Sequence, residues 1–406
     1  MSSLDIAPAA PAAAGKATAL PSIDRAATVF AGLALILGAL LIGTEVSARM
    51  AVLFVIGAGL GVALLHGAFG FTAGWRQFAT KRDGRGLRAQ FLVIGLTMLA
   101  FIPLINGYAP DGLSPMGAIA PIGTSLVVGA FLFGLGMQLG NGCGSGTLFA
   151  LGGGSKRMVV TLLFFIVGSV VGSIHLPWWL DQPGFDPVNL ATWLTVPGAI
   201  AVQAAALGGL AWWTLTRERK AGLTFGTEPH PRSALARVLR GPWPYFGAGL
   251  AIVVLGVATL LIAGHPWTIT YGFALWGAKA AQAVGIDMSQ YEFWQWPKGA
   301  NALNNSLLSD VTSVMNLGLV LGAMLAAALA GSFAKPVKLS GRSVLGAAIG
   351  GLLMGYGARL AFGCNIGAFL GGIGSGSLHG WIWFALAFAG TLAGIRLRPL
   401  FGLSRD

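Results

Sequence analysis

The chain has 406 residues, of which 55% are hydrophobic and only 9% are charged. Lys and Arg number 25 against 13 Asp and Glu, a formal net charge of +12. Soluble domains carry about 25% charged residues, so a soluble enzyme, a secreted disulfide scaffold and a disordered chain are excluded. What remains is an all-α polytopic membrane protein. Its mean hydropathy is +0.76, and its apolar stretches recur at lengths that cross a hydrocarbon core of about 30 Å. The basic excess does not imply nucleic acid, because Lys and Arg in cytoplasmic loops give the same balance.

In chain order, residues 1–25 are rich in Ala and Pro and read as a disordered tail rather than a signal peptide, with Asp5 and Lys16 in place of a basic start and apolar run. Ten spans follow: 27–43, 50–66, 89–106, 121–139, 158–174, 196–214, 245–262, 309–331, 343–360 and 380–396. Four further segments, 67–79, 141–153, 268–284 and 363–374, are apolar or Gly-rich but too short to cross, which suits re-entrant half-helices. Basic residues gather in alternate loops: Lys81, Arg82, Arg85 and Arg88; Lys156 and Arg157; Arg217 to Arg240, including Arg232; Lys335, Lys338 and Arg342; and Arg396 to Arg405. Lys/Arg bias sets orientation, so both termini are expected in the cytoplasm. The chain then divides into a first membrane half (26–214), a basic linker (215–243), an inverted second half (244–398) and a short tail (399–406).

The second half repeats part of the first. Gly129–Leu148 and Gly350–Phe369 align at an offset of 221 residues, which pairs Gly129 with Gly350, Gly136 with Gly357, Gly142 with Gly363 and Gly146 with Gly367. Glycine matches say little among 63 glycines, but the protein's 2 cysteines, Cys143 and Cys364, also fall on one another. A weaker match pairs Phe69–Gly70–Phe71 with Tyr271–Gly272–Phe273. Cys143 follows an inward span and Cys364 an outward one, so the halves are expected to be inverted repeats. Such repeats place their site near the midplane, where half-helix ends meet.

Gly142–Cys143–Gly144 and Gly363–Cys364–Asn365 sit where broken helices are expected to begin. A helix N-terminus carries about half a positive charge and free N–H groups, so two such ends suit an anion. A thiol is a weak donor and acceptor, which points to a sulfur-containing oxyanion; inert packing is the plainer use of a buried cysteine. Arg359, at the repeat position of Gln138, is costly on an apolar span and is expected to attract or gate the anion, unless it snorkels outward. Arg76 reads as a solvated inner-face charge and Lys279 as an isolated outer one. Asn141 and Asn365 are expected to cap half-helices or donate to the anion. The histidines show no metal spacing and read as interfacial. Nucleotide and acid–base motifs are missing, and no cofactor is expected.

At these residues the sequence resembles the YeeE/YedE family of bacterial inner-membrane proteins. The most specific parts are GxxxGNGCxSG at Gly136–Gly146 and GxxxxxGCNIG at Gly357–Gly367. The resemblance implies inverted halves, re-entrant helices and uptake of thiosulfate through S–H···S hydrogen bonds, with a small cytoplasmic TusA-like sulfur carrier as a frequent partner. Thiosulfate members typically carry a third cysteine in F-C-[FL]-x-G-A-x-R; here Phe69–Gly70–Phe71–Thr72–Ala73–Gly74–Trp75–Arg76 has Gly70 in that place. The reading is therefore a monomeric permease for thiosulfate or a related sulfur anion, lined by Cys143 and Cys364, and not an enzyme. The rivals are a small-ion or selenium-species channel, and a sulfurtransferase that forms a Cys persulfide.

Overall fold

The computed structural model describes residues 22–223, 225, 233–335 and 338–406. Most of the tail read at 1–25, with Asp5 and Lys16, lies outside the described residues, as does Arg232 of the linker. The chain begins with α1 (Arg25–Glu45), α2 (Ala48–His66), the short α3 (Phe71–Lys81) and α4 (Arg85–Pro103). After a long loop come β1 (Ile122–Gly123), α5 (Thr124–Gly140), the short α6 (Gly144–Gly152), α7 (Lys156–Leu180), β2 (Gly184–Phe185) and α8 (Leu190–Lys220). Strands β1 and β2 form one antiparallel pair, Ile122 opposite Phe185.

The second half holds α9 (Ala234–Arg240), α10 (Tyr245–Ala263), the short α11 (Thr270–Ala283), and the loop helices α12 (Glu292–Gln295) and α13 (Pro297–Asn304). It closes with α14 (Val311–Ala330), α15 (Gly341–Leu360), a π-turn over Asn365–Leu370 leading into α16 (Gly371–Gly374), and α17 (Leu378–Leu397). Among the described residues ten helices, some continued by a short neighbour, are long and apolar enough to cross a membrane. The protein is a multi-pass helical membrane protein.

Local chemistry sets the helix starts. Asp24 Oδ1 accepts from Ala27 N at 3.0 Å, Ser47 Oγ from Met50 N at 3.2 Å, and Asp310 Oδ2 from Ser313 N at 2.7 Å. Each satisfies an N–H that has no partner within its own helix. α8 breaks at Thr195, whose φ is 63°, just before Pro197, so its continuous part begins where hydropathy placed the span. Segment 363–374 differs from expectation, because its π-turn replaces most of the α-helix. Helices α9, α12 and α13 were not legible, being too short and polar for a hydropathy signal.

Small residues bring the long helices together. α14 lies along α2, and α15 lies along both α5 and α7. Gly57 and Gly61 of α2 face Met315 and Leu319, while Gly318 and Gly322 of α14 face Phe54 and Ala58; a Cβ on any of the four would overlap backbone opposite. This is the small-residue packing that lets helices in lipid associate without a hydrophobic drive. Towards lipid, Phe30, Leu37, Val202 and Trp212 are exposed. The end of α8 is tied to the turn before α4, where Glu218 accepts from Arg88 Nη1 at 2.8 Å and from Gly84 N at 3.0 Å.

Candidate functional site

The two cysteine loops have nearly the same backbone. α5 ends at Asn141 with φ 61°, and the residue equivalent in the repeat, Phe362, has φ 58°. Gly142 N donates to Met137 O at 3.2 Å, and Gly363 N donates to Ala358 O at 2.9 Å. Cys143 and Cys364 then take extended backbone (φ −93° and −112°) and stand at the N-caps of α6 and of the π-turn. The carbonyl of Cys143 accepts from Thr147 N at 2.8 Å, and that of Cys364 from Ala368 N at 2.9 Å. Gly363 must be glycine, since its φ is 151° and a Cβ would lie 2.8 Å from Ala368 N.

Both thiols are free and buried. Cys143 Sγ accepts from Gly146 N at 3.4 Å and lies 3.5 Å from Ser145 Oγ. The loops meet, because a Cβ built on Gly144 would lie 3.0 Å from Cys364 Sγ and 3.5 Å from Ile269 Cγ2. Thus Gly144, the residue after one cysteine, leaves room for the sulfur of the other. Rings from several elements fix the surroundings: Phe369 of the π-turn stacks on Phe384 of α17 at 4.6 Å, Trp75 of α3 meets Phe384 at 5.3 Å, and Phe165 of α7 meets Phe273 of α11 at 4.9 Å.

Several buried polar groups on the helices and turn that carry the thiols are left unsatisfied. Asn365 is fully buried, and neither its Nδ2 nor its Oδ1 has a partner among the described residues. Gln138 Nε2 donates to Thr72 O at 3.2 Å, while its Oε1 is unpartnered among the described residues. Arg359 is 8% exposed; its Nη2 donates to Thr270 Oγ1 at 3.2 Å, and its Nε has no partner among the described residues. An unmade hydrogen bond on a buried polar group costs roughly 1–3 kcal/mol. A polar ligand at these atoms recovers that cost.

Several single-residue expectations change. Arg359 does not snorkel outward but is buried within reach of the first residue of α11. Arg76 is not a solvated charge: it is buried, and its Nη1 donates to Asn141 Oδ1 at 3.2 Å. Asn141 does not cap the helix after it; it ends α5, and its Oδ1 also accepts from Arg398 Nη1 at 3.1 Å. Cys143 itself occupies the N-cap, and Asn365 makes no capping bond. Lys279 is not isolated, since its Nζ donates to Leu303 O at 2.7 Å and Asn305 O at 2.6 Å, which ties α11 to the end of α13. His66 and His379 are buried within the protein, and His379 Nδ1 lies 2.7 Å from Ser377 Oγ. Among the described residues no group of His, Cys, Asp and Glu is placed to hold a metal ion.

Sequence reasoning did not single out Thr270 and Tyr271 for the site. Tyr271 was seen only as a repeat partner, and Thr270 carried no pattern of its own. Arg157 is also buried; its Nη1 and Nη2 donate to Gly140 O and Leu139 O at 2.6 Å each, and its Nε to Ser343 Oγ at 3.0 Å. It thereby holds the end of α5 that leads into the first cysteine loop.

A family described as sulphur transport matches residues 66–393. A thiosulfate transporter, TsuA, of Spirochaeta thermophila is 28% identical over 80% of this chain and 92% of its own length. The Escherichia coli protein named thiosulfate transporter TsuA is 25% identical over 83% of this chain and 91% of its own. A probable transporter, YedE, of the same bacterium is 34% identical over 39% of each chain.

Proposed function

The chain belongs to the sulphur-transport family, and on that premise we propose that it is a permease for thiosulfate or a closely related sulfur oxyanion. The observation that carries the reading is the meeting of the two cysteine loops at Gly144, with one free thiol on each side of the contact. The substrate accepts a hydrogen bond from one S–H through its terminal sulfur and is handed to the second thiol by the same bond. No covalent step is needed, and the protein acts as a transporter rather than an enzyme. Gly142, Gly144 and Gly363 keep the loops narrow enough for this exchange. Asn365 and Arg359 supply donors to the oxygens, while Asn141 anchors the inner loop.

The reading includes inverted halves. In support, α5 packs on α15 and α17, while α15 packs on α5 and α7, which is the pattern left by exchanging two equivalent units. Gly134 of α5 lies against Ala387 of α17, and Gly355 of α15 lies against Phe165 and Ser169 of α7. It further places a monomer in the bacterial inner membrane, with both termini in the cytoplasm. A TusA-like carrier is its partner on the inner side.

Proteoliposomes test this. Radiolabelled thiosulfate should enter vesicles containing the protein and be retained, while sulfate and chloride enter no faster than in empty vesicles. Equal entry of all three anions contradicts the assignment.

A further inference from the structure

Around the first turn of α11 the structure assembles cationic groups, the buried Arg359 among them. α11 has 14 residues, and Ile269 makes no side-chain bond to its first turn. The N–H groups of Thr270, Tyr271 and Gly272 therefore lack an intrahelical partner and carry the positive end of the helix dipole. Arg359 reaches the same turn through its bond to Thr270 Oγ1 at 3.2 Å, and its Nε has no partner among the described residues although only 8% of the residue is exposed. Its guanidinium lies 5.9 Å from the Tyr271 ring. Lys298 Nζ lies 4.5 Å from that ring, and Lys298 is exposed. Tyr271 Oη donates to Lys298 O at 3.3 Å, which holds the loop over the ring. Asn316 Nδ2 donates to Ile269 O at 3.0 Å and so fixes the approach to α11.

We propose that Arg359, Thr270 and the first turn of α11 form a capture site for a tetrahedral sulfur oxyanion, with Lys298 drawing the anion to it from outside. The proposal rests on the permease reading and adds where the substrate is held before the thiols. The oxygens take the Arg359 Nε and the N–H groups of α11. Ile269, immediately before this turn, shares with Cys364 the space around Gly144, so a terminal sulfur reaches the Cys364 thiol while the oxygens stay on α11. Sulfate, with oxygen in place of that sulfur, fits the capture site but offers the thiol a poorer partner. It is therefore a competitor and not a cargo.

The test measures equilibrium binding of thiosulfate and of sulfate to the purified full chain, beside proteoliposome uptake. Sulfate should bind the parent and inhibit thiosulfate uptake competitively. Arg359→Gln should weaken both anions at least tenfold. Arg359→Lys, which keeps the charge but loses the planar fork, should weaken them less. Thr270→Val should also weaken both, and Lys298→Met should raise the KM several-fold at low salt, a gap that closes at high salt. Sulfate binding should survive Cys364→Ala while thiosulfate uptake is lost. A melting curve for each variant separates misfolding from lost binding, and Arg359→Lys and Thr270→Val decide the matter if Arg359→Gln does not fold. Unchanged affinities in folded Arg359 and Thr270 variants overturn the capture site even where thiosulfate transport is real. Sulfate binding that depends on Arg359 in a protein that transports no thiosulfate leaves the site standing and overturns the permease reading instead.

Discussion

Adding one methyl group at Gly144 perturbs the contact on which permeation depends. The new Cβ would lie 3.0 Å from Cys364 Sγ, 3.5 Å from Cys364 Cβ and 3.5 Å from Ile269 Cγ2. Carbon and sulfur rest at about 3.5–4 Å, so the thiol must retreat by roughly half an ångström. Rotation of a buried side chain out of a packed site costs about 1–3 kcal/mol. If that cost falls on the thiol's alignment with the substrate, uptake drops about 5- to 160-fold. Gly146→Ala, whose Cβ would meet Cys143 Sγ at 3.4 Å, should lose less. Gly256→Ala, with nothing within 4 Å, should match the parent. The assay is initial thiosulfate uptake into proteoliposomes, normalised to folded protein. Parent-like uptake by Gly144→Ala, in a background where Cys364→Ala is inactive, would refute the claim that this glycine positions the thiol.

Three more outcomes follow from the same geometry. Gly129→Ala places a Cβ 2.7 Å from Ala361 N and 2.8 Å from Gly357 O, backbone that cannot rotate aside; the melting temperature in detergent should fall well below that of Gly256→Ala. Gly70→Cys should fold normally, because Gly70 has φ −101° and its Cβ would meet only Ala73 Cβ at 3.9 Å, and uptake assays should show faster thiosulfate entry than the parent. Lys298 is exposed as a residue, but its ammonium packs over the Tyr271 ring, and that partial desolvation pulls it below the usual lysine pKa; Asp310 opposes the shift and nearby Arg359 adds to it. The charge is present below that lowered pKa and lost above it, so the KM for uptake should rise with alkaline pH in the parent and not in Lys298→Met. His265, pulled down by burial, is neutral near pH 7 and adds no transition of its own on the alkaline side.

Much of the architecture was legible because lipid imposes a simple rule. A span must be long, apolar and helical, and the ten segments read from hydropathy correspond to ten helices of sufficient length. Three of the four short segments, read as length deficits, are the short helices α3, α6 and α11, while Cys143 and Cys364 stood out as a coincidence in register. Side-chain destinations were less accessible. Arg76 sits beside a basic loop in sequence, yet it is buried and its Nη1 donates to Asn141 Oδ1 at the end of α5. Arg359 lies at the end of α15, yet it stays buried, and its partner Thr270 arrives from a segment 89 residues away. Such pairings depend on which half-helix end meets which loop, and hydropathy carries no record of that. The π-turn after Cys364 was equally hidden, since its Gly-rich sequence reads the same for several helical pitches.

The most direct measurement is thiosulfate uptake by Cys143→Ala and Cys364→Ala, each reconstituted beside the parent at matched protein content. Loss of uptake in both variants, with melting curves unchanged, is the predicted result. Parent-level uptake in either one contradicts a route that passes substrate from thiol to thiol.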